Sequence, residues 1–153
     1  MKRAGIEIRP LEIDDLHGVF ILGQDLFSEK NFRSLRAWDE KVLAEILPDN
    51  LEISFIAVRK KSVAGFLIGA VSESGTRGAT AKILWLGIQR LEKKDTGHDL
   101  IEAFIARCAG KNIADLLFEV PGTDSELIDL CRKSGFTQTG QVLIMERLLP
   151  EKK

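Results

Sequence analysis

The sequence contains no tyrosine and has only two cysteines and two histidines. Neither cysteine, Cys108 nor Cys131, has a spacing typical of metal ligands, and each lies in a segment with helical apolar periodicity. We therefore expect reduced, buried thiols rather than a disulfide framework. A Ser/His/Asp set and a cluster of metal-ligating residues are also missing from the pattern. The sequence thus predicts no metal centre and a small catalytic inventory.

Long apolar runs and an excess of charge of one sign are absent as well. No run approaches the roughly 20 residues that a membrane span needs. The N-terminus, MKRAGIEIRP, has basic residues without the apolar stretch of a secretory signal. The formal net charge of −1 gives no electrostatic basis for binding nucleic acid. We therefore expect a cytoplasmic protein with no nucleic-acid and no membrane partner.

The remaining composition is typical of a single globular domain over residues 1–153, with 44% hydrophobic and 29% charged residues. Apolar periodicity and turn residues predict eleven elements. In chain order, they are a strand at 6–9, helices at 14–27 and 38–47, strands at 53–58, 63–71 and 83–88, a charged turn with the helix that follows it at 92–109, a strand at 113–120, a helix at 124–133, and strands at 136–139 and 142–149. The order β-α-α-β-β-β-α-β-α-β-β indicates an α/β fold with a mixed sheet, in which the passage 83–120 gives one parallel crossover.

The segment 81–108 contains the most informative local pattern. An apolar strand is followed by a charged turn, 89–95, and then Thr96-Gly97 opens a helix. The unpaired N–H groups and the dipole of a helix start favour an anion. An alternative interpretation is an ordinary charged turn in which Thr96 caps the helix. Both interpretations stay open from the pattern alone.

The element order, the position of this turn and the ending LIDLCRKSGF resemble the GNAT acyltransferase superfamily over nearly the whole chain. The resemblance implies a mixed, mostly antiparallel central sheet flanked by about four helices. Asp124 stands where the family usually has an Asn that leads the last helix, and Cys131 stands where it usually has Tyr or another aromatic residue. Gly135-Phe136 match the family pattern.

The same resemblance implies a cofactor site. Family members bind the pyrophosphate of acetyl-CoA at a Gln/Arg-x-x-Gly-x-Gly/Ala turn and transfer the acetyl group directly to an amine. With Gly97 as the final glycine, Glu92 and Asp95 occupy the positions of Gln/Arg and the first glycine; a shift of one residue puts Thr96 and His98 at the glycine positions. The cofactor-binding residues that the resemblance implies are Leu86, Ile88, Lys93, Lys94, Asp95, Thr96, Gly97, His98 and Asp124.

The catalytic groups that the family often uses are not present here. Residues 83–88 contain no acidic side chain, and the chain has no tyrosine to act as the late acid. Cys131 is the candidate proton donor, since an unperturbed thiol has a pKa near 8.5. The alternative is that Cys131 is a small hydrophobic residue of the core.

Two hypotheses of different classes follow from the resemblance. The first is an N-acetyltransferase that moves an acetyl group from acetyl-CoA to a primary amine of a peptide or small molecule. The second is a catalytically inactive GNAT-fold binding or regulatory module, because Glu92, Asp95 and Cys131 each replace a residue type that the chemistry normally uses. The resemblance also allows a homodimer through the last hairpin or an edge strand.

Overall fold

A computed structural model describes residues 2–3, 5–27, 38–75, 78–92 and 94–151. Within these ranges the strands are β1 (Lys2–Arg3), β2 (Ile6–Pro10), β3 (Phe55–Arg59), β4 (Ser62–Gly75), β5 (Gly78–Ile88) and β6 (Ile113–Phe118). The α-helices are α1 (Leu16–Leu26), α2 (Glu40–Ile46), α3 (Lys94–Ala109) and α4 (Ser125–Lys133). Short 3-10 helices span Ile13–Asp15, Leu47–Asp49 and Leu51–Ile53.

The six strands form one sheet in the order β1-β2-β3-β4-β5-β6. Each neighbouring pair is antiparallel except β5 and β6, which are parallel because α3 carries the chain back across the sheet. The predicted α/β fold, with a mixed, mostly antiparallel sheet and four helices, is confirmed.

Helices cover both faces of the sheet, so the central strands are apolar on both sides. On one face, Phe104 of α3 packs in a core with Phe55 and Leu67. On the other face, α1 and α2 pack in a second core that contains Phe66 and Trp85. The alternation of side chains along each strand divides neighbouring residues between the two cores.

Several element boundaries differ from the prediction. Helix α3 begins at Lys94, two residues before Thr96. Strands β4 and β5 extend into the predicted Ser/Gly/Thr loop at 72–80 and pair as far as Gly75 opposite Gly78. The hydrogen-bonded ladder of this hairpin outweighs the turn propensity of its residues.

The predicted last hairpin, at 136–139 and 142–149, is wrong. Residues 136–151 contain no regular secondary structure, and residues 137–151 are exposed throughout. Apolar and β-branched residues give 142–149 strand propensity, but a strand needs a partner edge to satisfy its backbone. No strand of the described chain pairs with this segment.

Candidate active site where β5 and β6 diverge

Strands β5 and β6 pair at one end and separate at the other. Their pairing runs from Ala79 opposite Ile113 to Ile83 opposite Phe118, whereas β5 continues to Ile88. The separation begins at a bulge, because the β4–β5 register shifts there and leaves Leu84 without an opposite residue. Bulges increase local twist and end regular pairing. Residues 84–88 of β5 therefore have no paired strand on the β6 side in the described structure, and we call the space beside this edge the cleft.

The backbone of Leu86 and Ile88 is directed into this cleft. The Gln89 N–H donates to the Ala64 carbonyl at 2.9 Å, which continues the antiparallel ladder between β4 and β5. Such a ladder alternates, so Trp85, Gly87 and Gln89 direct their N–H and C=O groups toward β4. The two residues that lie between these three direct their peptide groups away from β4. Leu86 and Ile88 thus present peptide groups on the side that β6 has left.

The start of α3 lies directly beside the end of β5. Lys93 lies outside the described residues, and the helix is described from Lys94. Thr96 and Gly97 are therefore in the first turn, and the alternative in which Thr96 is the N-cap is wrong. The unpaired N–H groups of an α-helix belong to its first four residues, so in α3 these groups begin at Lys94 rather than at Thr96.

Gly97 fills a tight space between secondary-structure elements. A Cβ atom at this position would lie 2.9 Å from Leu130 Cδ2 of α4 and 3.7 Å from Ile88 Cδ1 of β5. The residue is buried, and a side chain at this position would require the Leu130 side chain to shift. The glycine that the resemblance assigns to the cofactor turn therefore also holds α3 against α4.

An ion pair compensates one of the two acidic residues near the helix start. Arg59, at the end of β3, donates from Nε and Nη2 to the Glu92 carboxylate at 2.9 and 3.1 Å. These hydrogen bonds lower the pKa of Glu92, which is 10% exposed, and raise that of Arg59. Asp95 places a second carboxylate in the first turn of α3, where its side chain is exposed.

Arg59 was not found by sequence reasoning. It precedes Glu92 by 33 positions, and the two meet only because the β3, β4 and β5 hairpins return to the same end of the sheet. No local pattern in the sequence indicates this pairing.

His98 connects the start of α3 with the end of α4. Its Nδ1 lies 3.5 Å from Ser134 Oγ, and its Nε2 lies 3.9 Å from the Glu102 carboxylate one helical turn later. The His98 side chain is 40% exposed. Ser134 was likewise missed by sequence reasoning, which treated it only as part of a helix end.

Cys131 is buried on α4, with 7% of its surface exposed. Burial is the main cause that raises the pKa of its thiol, and the Asp124 carboxylate raises it further. The thiol is therefore protonated at neutral pH, which suits a proton donor and equally suits a small core residue. Cys108, on α3, has a pKa raised by burial to about 11.

Asp124 caps α4, as the sequence predicts. Its side chain accepts a hydrogen bond from the Leu127 N–H at 3.1 Å. The carboxylate is thereby used at the helix start, where a negative charge is stabilised. A phosphate beside it would experience charge repulsion.

The described residues show surface hollows away from the cleft. One of about 590 Å³ is lined by β2, β3 and the turn at Lys60 and Lys61, and another of about 550 Å³ lies between Phe55 and α3. The described ranges contain no group of three or more His, Cys, Asp or Glu residues that could hold a metal ion. None of the helices in those ranges is long and apolar enough to cross a membrane.

The fold is that of solved acetyltransferases. An aminoglycoside acetyltransferase from an uncultured soil metagenomic sample, in complex with sisomicin, has 22% identity, covers 95% of this chain and 97% of its own, and gives a TM-score of 0.73. Arabidopsis thaliana Naa50, in complex with the bisubstrate analogue CoA-Ac-MVNAL, has 18% identity. The match covers 90% of this chain and 86% of the Naa50 chain, with a TM-score of 0.72. AAC(6')-Iy, in complex with a CoA-linked acetylneamine analogue, has 17% identity. The match covers 94% of this chain and 99% of the AAC(6')-Iy chain, with a TM-score of 0.72. No family model and no curated protein matches the sequence.

The similarity to these structures shows a GNAT-like fold for the chain. The described structure brings Leu86, Ile88 and the first turn of α3 together at one end of the cleft. Gly97 contacts α4 there, while Asp124 and Cys131 lie at the cap and in the body of that helix.

Proposed function

We propose that this protein is an N-acetyltransferase that transfers an acetyl group from acetyl-CoA directly to a primary amine. The observation that carries the proposal is the cleft between β5 and β6. It combines peptide groups at Leu86 and Ile88, with which no described strand pairs, and a helix start directly beyond them.

The two parts of the cleft suit the two parts of CoA. An extended chain with amide groups, such as the pantetheine of CoA, can add to an open strand edge by main-chain hydrogen bonds. The N–H groups at the start of α3 suit the pyrophosphate, because a helix N-terminus stabilises negative charge. Neutralisation of Glu92 by Arg59 removes one source of repulsion.

When bound, acetyl-CoA supplies an acyl group activated as a thioester, which a neutral amine can attack. In this proposal the Leu86 or Ile88 N–H stabilises the negative charge that develops on the carbonyl oxygen. The amine nitrogen bonds to the carbonyl carbon as the C–S bond breaks, and the Cys131 thiol gives a proton to the sulfur that leaves. The nitrogen loses its proton to solvent, and solvent returns a proton to the Cys131 thiolate. Positioning supplies more of the catalysis than a strong base does.

The acceptor class is proposed from the solved structures. The soil enzyme was solved with sisomicin and the Arabidopsis protein with CoA-Ac-MVNAL. An aminoglycoside and a peptide α-amine are therefore the first two acceptors to try.

Calorimetric titration of acetyl-CoA, followed by an assay of CoA release with these amines, tests the proposal. We expect one site per chain with micromolar affinity. The two histidines allow a matched pair of variants. His98→Glu adds a negative charge in the first turns of α3 and should weaken binding tenfold or more. His17→Glu makes the same change at an exposed position of α1, on the other face of the sheet. Equal affinities for both variants would exclude the α3 start as the site.

The alternative, an inactive binding module, is favoured by Asp95 in the first turn of α3 and by the carboxylate of Asp124 at the start of α4. It predicts either no detectable binding at near-millimolar acetyl-CoA or binding without CoA release for any amine.

A further inference from the structure

The hollow of about 590 Å³, which we call the lysine hollow, is lined by strands β2 and β3 and by the turn that joins β3 to β4. Its floor is apolar, because Ile56, Val58 and Val63 belong to or pack against the core that the sheet shares with α1 and α2. Strand β4 separates this hollow from the cleft beside β5. Small-molecule sites commonly have volumes of roughly 300–1,000 Å³ and apolar linings. The lysine hollow therefore has the size and the floor of a site for a small organic molecule.

The turn at the rim of the lysine hollow has a backbone conformation that its residues do not favour. Arg59 pairs with Ser62, so Lys60 and Lys61 form a two-residue hairpin turn, and their φ angles are 47° and 67°. Positive φ at both central residues defines a type I′ turn, for which Asn-Gly is the preferred sequence. The other non-glycine residue with positive φ in the described ranges is Asn112, a residue type that tolerates it. Backbone strain of this kind is concentrated at binding and catalytic sites.

The two lysines supply the positive charge of the hollow. Arg9 donates from Nη1 and Nη2 to the two carboxylate oxygens of Asp15 at 2.8 Å, so these opposite charges neutralise each other. The pKa of Arg9 is raised, first by these hydrogen bonds and to a smaller extent by the charge of Glu7. Lys60 and Lys61 are exposed, and neither forms an ion pair with another described residue. Together with Glu7, they leave an excess of one positive charge at the rim.

We propose that the lysine hollow binds a small carboxylic acid, whose apolar body lies on the floor and whose carboxylate is held by Lys60 and Lys61. The ammonium group of lysine is a compact charge with three donors on a flexible stem, so it can reach an anion at the rim. The excess of one positive charge matches a monoanion, whereas the carboxylate of Glu7 would repel a second negative charge. The inference uses the hollow alone and is independent of acetyl transfer.

The ligand has to satisfy the floor and the rim at the same time. A neutral apolar molecule would bury surface on the floor but leave the charge of the two lysines unused. A small inorganic or organic anion without an apolar body would meet only exposed lysines, and exposed ion pairs are weak. Specific binding in this hollow therefore depends on a carboxylate and an apolar body in one molecule.

An amide NMR titration of the full chain, without acetyl-CoA, tests this dependence with three probes. The probe 4-phenylbutyrate carries both features, 4-phenylbutan-1-ol has the same body without the charge, and acetate has the carboxylate without the body. For 4-phenylbutyrate we expect saturable shifts at residues 58–63, with a dissociation constant of about 5 mM or lower. The alcohol should bind at least about fivefold more weakly, and acetate should give no saturable shift in the same range.

Variants of the turn separate the charge of the lysines from their backbone strain. Lys60→Gln and Lys61→Gln each remove a charge and should each weaken binding of 4-phenylbutyrate about twofold to fivefold. Lys41→Gln, at an exposed lysine of α2 that does not line the hollow, is the matched control and should leave the affinity unchanged. The double variant Lys60→Asn with Lys61→Gly installs the preferred type I′ sequence. It should raise the Tm by a few degrees and weaken binding at least about fivefold.

Four results would overturn the proposal. The first is the absence of saturable shifts at residues 58–63 with 4-phenylbutyrate up to about 20 mM, well above the expected dissociation constant. The second is equal affinity for the acid and the alcohol, because the hollow would then bind only the apolar body. The third is an equal loss of affinity in Lys41→Gln and in the variants of the turn, which would indicate a general effect of charge. The fourth is a more stable Asn-Gly variant that binds 4-phenylbutyrate as tightly as the wild type.

Discussion

Substitution of Gly97 by alanine tests whether this glycine is required by packing. The added Cβ would lie 2.9 Å from Leu130 Cδ2, well inside the ~3.5–4.0 Å of a favourable carbon contact. Overpacking of this kind costs about 1–3 kcal/mol, and replacing glycine by alanine within a helix stabilises it by about 1 kcal/mol. We therefore expect Gly97→Ala to lower the free energy of unfolding by about 0–2 kcal/mol.

The neighbouring leucine makes the prediction specific. In a Leu130→Ala background the overlap is gone, so Gly97→Ala should stabilise the fold by up to about 1 kcal/mol. The coupling between the two sites should then be about 1–3 kcal/mol. Urea unfolding followed by the fluorescence of Trp38 and Trp85 measures each variant. Gly122→Ala is the control, because a Cβ there meets nothing within 4 Å. Equal effects of Gly97→Ala in both backgrounds would refute the packing argument.

Three further predictions concern the groups around the cleft. Arg59 lowers the pKa of Glu92, so the pair stabilises the fold at pH values above the usual carboxyl range, and this contribution is lost as pH falls through the lowered pKa. Glu92→Gln should therefore reduce the dependence of the free energy of unfolding on pH below about pH 5, and an unchanged dependence would contradict this. Asp95→Asn removes a negative charge from the first turn of α3 and should tighten acetyl-CoA binding about twofold to fivefold, and weaker binding measured by calorimetry would show that phosphates do not approach this turn. Burial raises the pKa of both thiols, so neither should react with a disulfide reagent at pH 8 until urea unfolds the chain; rapid labelling of the folded protein would show that one of them is accessible.

Local patterns predict most of this fold because each element carries its own periodicity. The strand at 83–88 and the helix that follows it are apolar at the spacing of their elements, and Asp124 is a cap residue placed just before an apolar run. The prediction of the last hairpin is wrong for a physical reason. Residues 142–149 have strand propensity, but a strand also needs a partner edge, which the sequence does not identify.

The candidate site is less accessible to sequence reasoning than the fold. Leu86 and Ile88 present their backbone to the cleft through the bulge at Leu84 and the departure of β6 after Phe118, both of which depend on pairing between distant strands. The contact of Arg59 with Glu92 and that of His98 with Ser134 also join residues that are far apart in the chain. The sequence around these four residues does not indicate either contact.

The most direct test of the proposed cofactor site is an amide NMR titration of the full chain with acetyl-CoA. The cleft predicts large shifts for the amides of Leu86 and Ile88 and for those of residues 94–98, with little change around Lys60 and Lys61, which line the separate hollow of about 590 Å³. Shifts confined to that hollow, or no shifts at near-millimolar ligand, would contradict the account of the cleft as an acetyl-CoA site.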